Sequence, residues 1–248
     1  MKLTTVGCSG SFPGPDAPAS AYLVEHEGFR MLLDLGSGAL GALQRHIDPL
    51  QVDAVVLSHL HADHFLDLCP YVVFRRYHPG GLPPRIPVLG PTGTHDRVAM
   101  AYDPSSFAGL RDVFDFSAVT PGERDLGPFR LRFDRVNHPI ETHAVRVECA
   151  GRTLVYSGDT GSSPSLVHLA RGADLLLCEA TFVDGPDLPT NLHLTGREAG
   201  EHATKAEVSR LMVTHIPPWT DPQRVLAEAA EAFTGTTELA AAGATYDV

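Results

Sequence analysis

One histidine-rich segment holds the densest group of side chains in this chain that could bind a metal or take part in catalysis. It reads Ser58-His59-Leu60-His61-Ala62-Asp63-His64 and directly follows the apolar run 52–57. Buried imidazoles and carboxylates are costly without partners, so this density at the end of a strand indicates a metal site. Three nitrogen donors and one oxygen donor suit zinc or another first-row transition metal better than calcium or magnesium. The alternative is a solvated histidine-rich loop.

Further candidate ligands lie far along the chain, each after the apparent end of a separate strand. They are His138, Asp159 and His215, and Glu179 is placed in the same way. Loops at one sheet edge assemble the sites of layered α/β folds, so we expect convergence on the histidine segment. Two ions would then be held, if Asp159 bridges, by two ligand sets: His59, His61, His138 and Asp159, and Asp63, His64, His215 and Asp159.

A two-metal centre of this kind predicts hydrolysis. With metals about 3.5–4 Å apart, a shared water is held as a hydroxide in line with an electrophile. Spacing alone identifies only candidate ligands, because an isolated histidine is as often a surface or hydrogen-bonded residue.

Strand-like and helix-like patterns alternate along the chain and must position these residues. Apolar runs and alternation predict strands over 2–6, 21–25, 29–34, 54–57, 86–89, 129–136, 144–148, 153–157, 173–178 and 211–214. Helical spacing and capping signals predict helices over 39–46, 64–74, 94–102, 165–171, from the capping box at Thr195, and from Asp221-Pro222 to Phe233. Since no linker or charge block interrupts the pattern, we predict one α/β domain over residues 1–248.

Composition limits the classes of protein and partner. An apolar content of 43% and a charged content of 20% exclude a disordered or collagen-like chain. The net charge of −11 disfavours a large nucleic-acid partner and an anionic membrane surface. Bound cations would still allow a small anionic substrate.

The cysteines and the apolar runs bear on compartment. Cys8, Cys69, Cys149 and Cys178 lie far apart without a CxxC pair, so we interpret them as reduced thiols. No run is long enough for a signal peptide or a membrane span, which predicts a cytoplasmic protein without membrane partners.

Four motifs together resemble the metallo-β-lactamase superfamily in its phosphodiesterase-type branch: LSHLHADH at 57–64, VNHP at 136–139, YSGDTG at 156–161 and VTHIPP at 213–218. The resemblance spans nearly the whole chain. It implies a four-layer αββα sandwich with a dinuclear site at the loop ends of the sheets, and it implies the two ligand sets given above. The cofactors would be two divalent ions, zinc first, with manganese or iron as alternatives.

Two further elements resemble those of the ribonuclease Z group within that superfamily. They are Cys178-Glu179-Ala180-Thr181 and His193-Leu194-Thr195. The resemblance implies that His193 is a general acid oriented by Glu179, so we expect Asp63, His193 and Glu179 to take part in catalysis, Asp63 also as a ligand. The alternative makes His193 a helix-entry residue and Glu179 a surface charge.

The long basic insertion that grips tRNA in ribonuclease Z has no counterpart here. Stretches such as VGCSGSFPGPDAPASAYLV, LHLTGREAG and THIPPWT instead resemble a compact actinobacterial group, the atypical class II cyclic-nucleotide phosphodiesterases. This resemblance implies hydrolysis of a small phosphodiester, cyclic AMP to 5′-AMP, by a bridging hydroxide with His193 as the acid, and a possible homodimer.

Other functions stay open at this point. RNA 3′-processing of the ribonuclease Z type, or another small phosphodiester hydrolase, is the first alternative. A lactone or thioester hydrolase is more distant, because it would not require an acid at His193. A flavin-linked diiron protein is disfavoured, because it would carry Glu in place of His61. A binding module without catalytic activity is also disfavoured, because such proteins commonly lack some of the metal ligands, whereas this chain has the complete candidate set. Finally, Trp219 and Phe12 could stack on a base, although a structural plug explains them as well.

Overall fold

The computed structural model describes residues 1–105 and 110–248 and places their strands in two seven-stranded sheets. The first sheet has the order β14-β1-β2-β3-β4-β5-β6. Its strands are β1 (Lys2–Gly7), β2 (Ala21–His26), β3 (Phe29–Leu33), β4 (Ala54–Val56), β5 (Ile86–Gly90), β6 (Phe114–Ala118) and β14 (Thr245–Asp247).

The second sheet has the order β13-β12-β11-β10-β9-β8-β7. Its strands are β7 (Gly122–Leu126), β8 (Phe129–Arg135), β9 (His143–Cys149), β10 (Arg152–Tyr156), β11 (Leu175–Glu179), β12 (Arg210–Thr214) and β13 (Thr236–Leu239). The helices are α1 (Ala39–Leu43), α2 (Ala62–Phe65), α3 (Leu68–Arg76), α4 (Thr94–Tyr102), α5 (Pro164–Ala170), α6 (Gly196–Lys205) and α7 (Pro222–Ala232).

Three apolar cores separate four layers. The central core joins the facing sides of the two sheets through residues such as Met31, Val56, Leu154 and Leu177. One outer core packs the first sheet against α1, α3 and α4, and the other packs the second sheet against α5, α6 and α7. The predicted αββα sandwich is confirmed.

Four strands have no counterpart in the sequence prediction: β6, β7, β13 and β14. Strand β7 is Gly-Glu-Arg-Asp-Leu and is exposed over most of its length. It pairs with β8 through the backbone, from Gly122↔Phe133 to Leu126↔Phe129. Its side chains therefore lack the apolar alternation from which a strand is predicted.

The predicted helix over 64–74 is wrong in its boundaries, because two helices, α2 and α3, occupy this region. Asp67 lies between them, and its carboxylate accepts a hydrogen bond from the Leu40 backbone N–H at 2.8 Å. The N–H of Asp67 donates to the Leu35 carbonyl, which draws the chain away from a continuous helix. Helix α1 is also shorter than predicted, because the N–H groups of Arg45 and His46 bond three residues back, to Ala42 and Leu43.

The predicted helix starts at Thr195 and Asp221 are confirmed. Thr195 forms a reciprocal capping box with Glu198, and the Asp221 carboxylate accepts from the Gln223 N–H ahead of α7. All four cysteines are free thiols. Among the described residues, no helix combines the length and apolar character needed to cross a bilayer.

Candidate metal centre

The candidate site lies where several strands end. His59, His138, Asp159 and His215 each follow a strand by one to three residues, and Glu179 is the last residue of β11 rather than just beyond it. Strands β10, β11 and β12 are parallel, so their carboxyl ends share one edge. Gly158, with φ +57°, turns the chain into Asp159, and a Cβ on it would lie 2.9 Å from Ser58 Cβ.

The first ligand cluster brings together His59, His61, His138 and Asp159, whose donor atoms all lie within 4.8 Å of one another. His61 Nδ1 is 3.1 Å from His59 Nε2 and 3.2 Å from His138 Nε2. Asp159 Oδ2 is 3.5 Å from His59 Nε2. Three ring nitrogens and one carboxylate oxygen thus face a common centre, a donor set typical of zinc.

The second ligand cluster contains Asp63, His64, Asp159 and His215, again with donor atoms within 4.8 Å. His215 Nε2 lies 3.2 Å from both His64 Nε2 and Asp63 Oδ2. Asp159 Oδ1 is 3.3 Å from His64 Nε2, so the two oxygens of Asp159 face different clusters. Oδ1 is buried and accepts no hydrogen bond from the described residues. Because buried polar atoms normally have a partner, this oxygen is suited to bind a cation.

The protonation states suit cation binding. Burial lowers the pKa of His59, His61 and His138, reinforced by neighbouring histidines, so these rings are neutral and present lone pairs. Burial alone would raise the pKa of Asp159, but His215 and His64 outweigh it and hold that pKa well below its usual range. The first cluster therefore combines neutral imidazoles with an ionised carboxylate, the forms that bind divalent metals. In the second cluster, burial would lower the pKa of His64, but Asp159 and Asp34 outweigh burial and raise it, so a bound cation would displace a proton from that ring.

Hydrogen bonds outside the clusters orient the rings. His138 Nδ1 donates to the Leu192 carbonyl at 2.8 Å. The Thr181 hydroxyl lies 2.8 Å from His215 Nδ1 and donates to the His215 carbonyl, so it accepts from the ring. Each bond places the proton on Nδ1 and leaves Nε2 bare toward the centre.

Asp34 orients the His64 ring in the same way, through a hydrogen bond to Nδ1, and the sequence analysis did not identify it as a site residue. Its Oδ2 lies 2.7 Å from His64 Nδ1 and also accepts from the Tyr156 and Ser58 hydroxyls at 2.7 and 2.8 Å. Oδ1 accepts from the Ser58 N–H at 2.7 Å. Asp34 is fully buried and its backbone is left-handed, with φ 60°. The one available signal was a carboxylate inside the apolar stretch Met-Leu-Leu-Asp-Leu.

Glu179 and His193 form a pair beside both clusters. His193 Nδ1 is 2.8 Å from Glu179 Oε1, and Glu179 is fully buried, accepting from the backbone N–H groups of Thr160 and Thr181. The His193 ring lies 5.6 Å from that of His138 and 5.5 Å from that of His215. Burial lowers the pKa of His193, but the Glu179 carboxylate outweighs burial and raises that pKa to about 9. Glu179 is therefore not the surface charge of the alternative interpretation.

The two aromatic candidates stand together at the surface. Trp219 is 75% exposed, and its ring centroid lies 4.6 Å from that of Phe12. The loop that carries Phe12 is close to the second cluster, since the Ser11 N–H is 3.4 Å from His215 Nε2. Trp219 is thus not a buried plug.

Comparison with known proteins agrees with this geometry. Residues 30–216 match the family described as the β-lactamase superfamily domain. The chain belongs to this superfamily. Within it, the arrangement of paired histidine and aspartate clusters suits divalent metal ions, and one relative is named a probable metallo-hydrolase.

Three members of the β-lactamase superfamily illustrate the range of similarity. The uncharacterized protein ML1173 of Mycobacterium leprae is 46% identical, over 100% of this chain and 89% of its own length. The probable metallo-hydrolase YhfI of Bacillus subtilis is 28% identical over the full length of both. Its crystal structure superposes with a TM-score of 0.89, covering 99% of this chain and 98% of YhfI. A ribonuclease Z of Methanopyrus kandleri is 28% identical over 94% of this chain and 93% of its own.

Proposed function

We propose that this protein is a metal-dependent phosphodiesterase that hydrolyses 3′,5′-cyclic nucleotides, converting cyclic AMP to 5′-AMP. The observation that carries the proposal is the Glu179–His193 pair, which lies beside two ligand clusters joined by Asp159. Metal-dependent hydrolysis of a bond with a good leaving group would not need such an acid. An alkoxide leaving group does need one.

The two clusters supply positions for two cations. His59, His61 and His138 would hold one, while Asp63, His64 and His215 would hold the other, with Asp159 shared. Two divalent cations, when bound, lower the pKa of a water that becomes the nucleophile and neutralise the charge that develops on the phosphoryl oxygens.

His193 supplies the proton for the leaving group. Glu179 fixes Nδ1, so Nε2 of the protonated ring carries the transferable proton. In the reaction a water oxygen bonds to phosphorus, the bond from phosphorus to O3′ breaks, and the Nε2 proton passes to O3′. The products are a 5′-monophosphate and a free 3′-hydroxyl, and the proton released by the attacking water restores His193.

The relatives and the charge of the chain support a small phosphodiester. Similarity to proteins named ribonuclease Z supports a phosphodiester as the bond that is cleaved. The net charge of −11 disfavours a long polyanion and favours a compact substrate. RNA 3′-processing is the second candidate, on the strength of the 28% identity to that ribonuclease Z.

Purified protein with bound metal, incubated with cyclic AMP with and without a chelator, tests the proposal. We expect chelator-sensitive formation of 5′-AMP, and a loss of kcat by a factor on the order of 10² to 10⁴ in His193→Ala with bound metal unchanged. His168→Ala is the matched control, because His168 is exposed on helix α5. Absence of turnover at full metal content would refute the proposal, and cleavage of precursor tRNA instead would favour the second candidate.

A further inference from the structure

A groove of about 290 Å³ shares His61 with the first ligand cluster. Its apolar walls are Leu60, Pro91 and Ile140, and its polar lining comes from Thr92, Arg97 and Glu141. We call it the His61 groove. Ligand pockets usually span about 300 to 1,000 Å³, so this volume suits a single flat ring system rather than a second nucleotide or a peptide.

Arg97 offers free hydrogen-bond donors to this groove. It lies on α4, and its guanidinium carbon is 5.6 Å from the centroid of the Phe65 ring. Within the described part of the chain, its guanidinium has no ion pair and no hydrogen bond. In a protein with 30 acidic and 19 basic residues, an unpaired guanidinium beside a candidate active site is well suited to recognise a ligand.

Glu141 offers a free acceptor. Its Oε1 accepts from the Thr92 N–H at 3.3 Å and from the Thr92 hydroxyl at 3.5 Å. Its Oε2 accepts no hydrogen bond from the residues that the structure describes. Arg97 and Glu141 line one groove without pairing with each other, which leaves one acceptor and several donors for a ligand.

The His61 groove adjoins the reaction site through His61, which lines the groove and belongs to the first ligand cluster. The His61 ring lies 5.0 Å from the His138 ring, and the His138 ring lies 5.6 Å from the His193 ring. A substrate whose phosphate lies at the two clusters and whose O3′ faces His193 can therefore extend along these rings into the groove.

Resting on the function proposed above, we propose that the His61 groove binds the adenine base of the substrate. Glu141 Oε2 accepts from the N6 amino group, Arg97 donates to a ring nitrogen, and the walls of Leu60, Pro91 and Ile140 contact the base. Guanine carries the O6 carbonyl where adenine carries the N6 amino group, so an acceptor rather than a donor would face the Glu141 carboxylate. Arg97 and Glu141 are thus specificity-determining residues for adenine.

The test compares three substrates on enzyme with bound metal: cyclic AMP, cyclic GMP, and a base-free analogue, methyl riboside 3′,5′-cyclic phosphate. We expect the wild type to prefer cyclic AMP. In Arg97→Met and Glu141→Gln, the KM for cyclic AMP should rise about 10- to 100-fold with kcat nearly unchanged, as expected for loss of a hydrogen bond to a charged group. Turnover of the base-free analogue should not change. Trp219→Ala is the control on the aromatic pair and should keep the preference for cyclic AMP.

Several results would overturn this inference. They are equal losses on cyclic AMP and the base-free analogue, a wild-type preference for cyclic GMP, and loss of the adenine preference in Trp219→Ala rather than in the groove variants. Calorimetry of AMP binding separates this inference from the proposed function. If the wild type hydrolyses none of the three substrates, the proposed function fails, while weaker AMP binding in Arg97→Met and Glu141→Gln would still support the groove and equal binding would refute it.

Discussion

Replacing Asp34 by Asn should weaken cation binding at the second cluster while leaving the fold intact. The Asp34 carboxylate accepts four hydrogen bonds, from His64 Nδ1, the Ser58 N–H and the hydroxyls of Ser58 and Tyr156. An asparagine amide has only one oxygen, so its NH₂ group must face at least one of these donors. It also removes the negative charge that favours a proton on Nδ1 and a bare Nε2 on His64.

The magnitude follows from the hydrogen bonds that asparagine cannot accept. Leaving a buried donor without a partner costs about 1–3 kcal/mol, and loss of a hydrogen bond that orients a ligand histidine costs about 10- to 100-fold in metal affinity. We therefore expect zinc affinity at the second cluster to fall by about 10- to 100-fold. The first cluster should change less, because its rings are oriented by other groups such as the Leu192 carbonyl.

The assay is a zinc titration against a competing chelator, with metal stoichiometry measured after dialysis. Asp53→Asn is the matched control. Asp53 also accepts a backbone hydrogen bond, from the Arg30 N–H at 2.8 Å, but it lies at the start of β4, whereas the histidine segment follows the end of that strand. The orienting role of Asp34 would be refuted if Asp34→Asn bound zinc at both clusters with wild-type affinity. Similar melting temperatures of Asp34→Asn and Asp53→Asn would show that the two variants are equally folded in this comparison.

Three further predictions concern the general acid, the metal centre and a helix cap. Glu179→Gln removes the charge that raises the pKa of His193 to about 9, so the ring loses its acidic proton at a lower pH. The alkaline limb of the plot of kcat against pH should therefore shift to lower pH. A limb at the wild-type pH would contradict this. Zinc at about 100 times its dissociation constant should stabilise the stripped protein by about 2.7 kcal/mol, a rise in Tm of about 5–10 °C for a chain of this size, and identical melting curves would argue against a built metal site. Thr195→Ala removes one half of the capping box and should cost about 1 kcal/mol, or about 2–4 °C in Tm, which calorimetric melting would detect.

The fold could be predicted largely because its buried strands carry continuous apolar runs. Strand β11 is buried along its whole length and was visible as such in the sequence. Strand β7 was not, since its charged side chains face solvent and backbone pairing with β8 defines it. The break between α2 and α3 depends on a hydrogen bond of Asp67 with Leu40, 27 residues away, which local helical spacing does not encode.

The candidate site shows the same division. Histidines grouped within six positions are visible locally, and strand-end placement pointed to the distant candidates. Asp34 and Thr181 escaped because their roles arise only from hydrogen bonds with His64 and His215, 30 and 34 residues away. A single carboxylate among leucines is a weak local signal, although its burial requires partners.

The position of Asp159, with one oxygen toward each cluster, ties the fates of the two clusters together. A substitution at His61 or at Asp63 alters one ligand set and spares the other, so each cluster can drift toward a different ion by single steps. A substitution at Asp159 strikes both at once. The metal preference of each cluster can therefore change through substitutions at its own ligands. A substitution at Asp159, in contrast, changes metal binding at both clusters together.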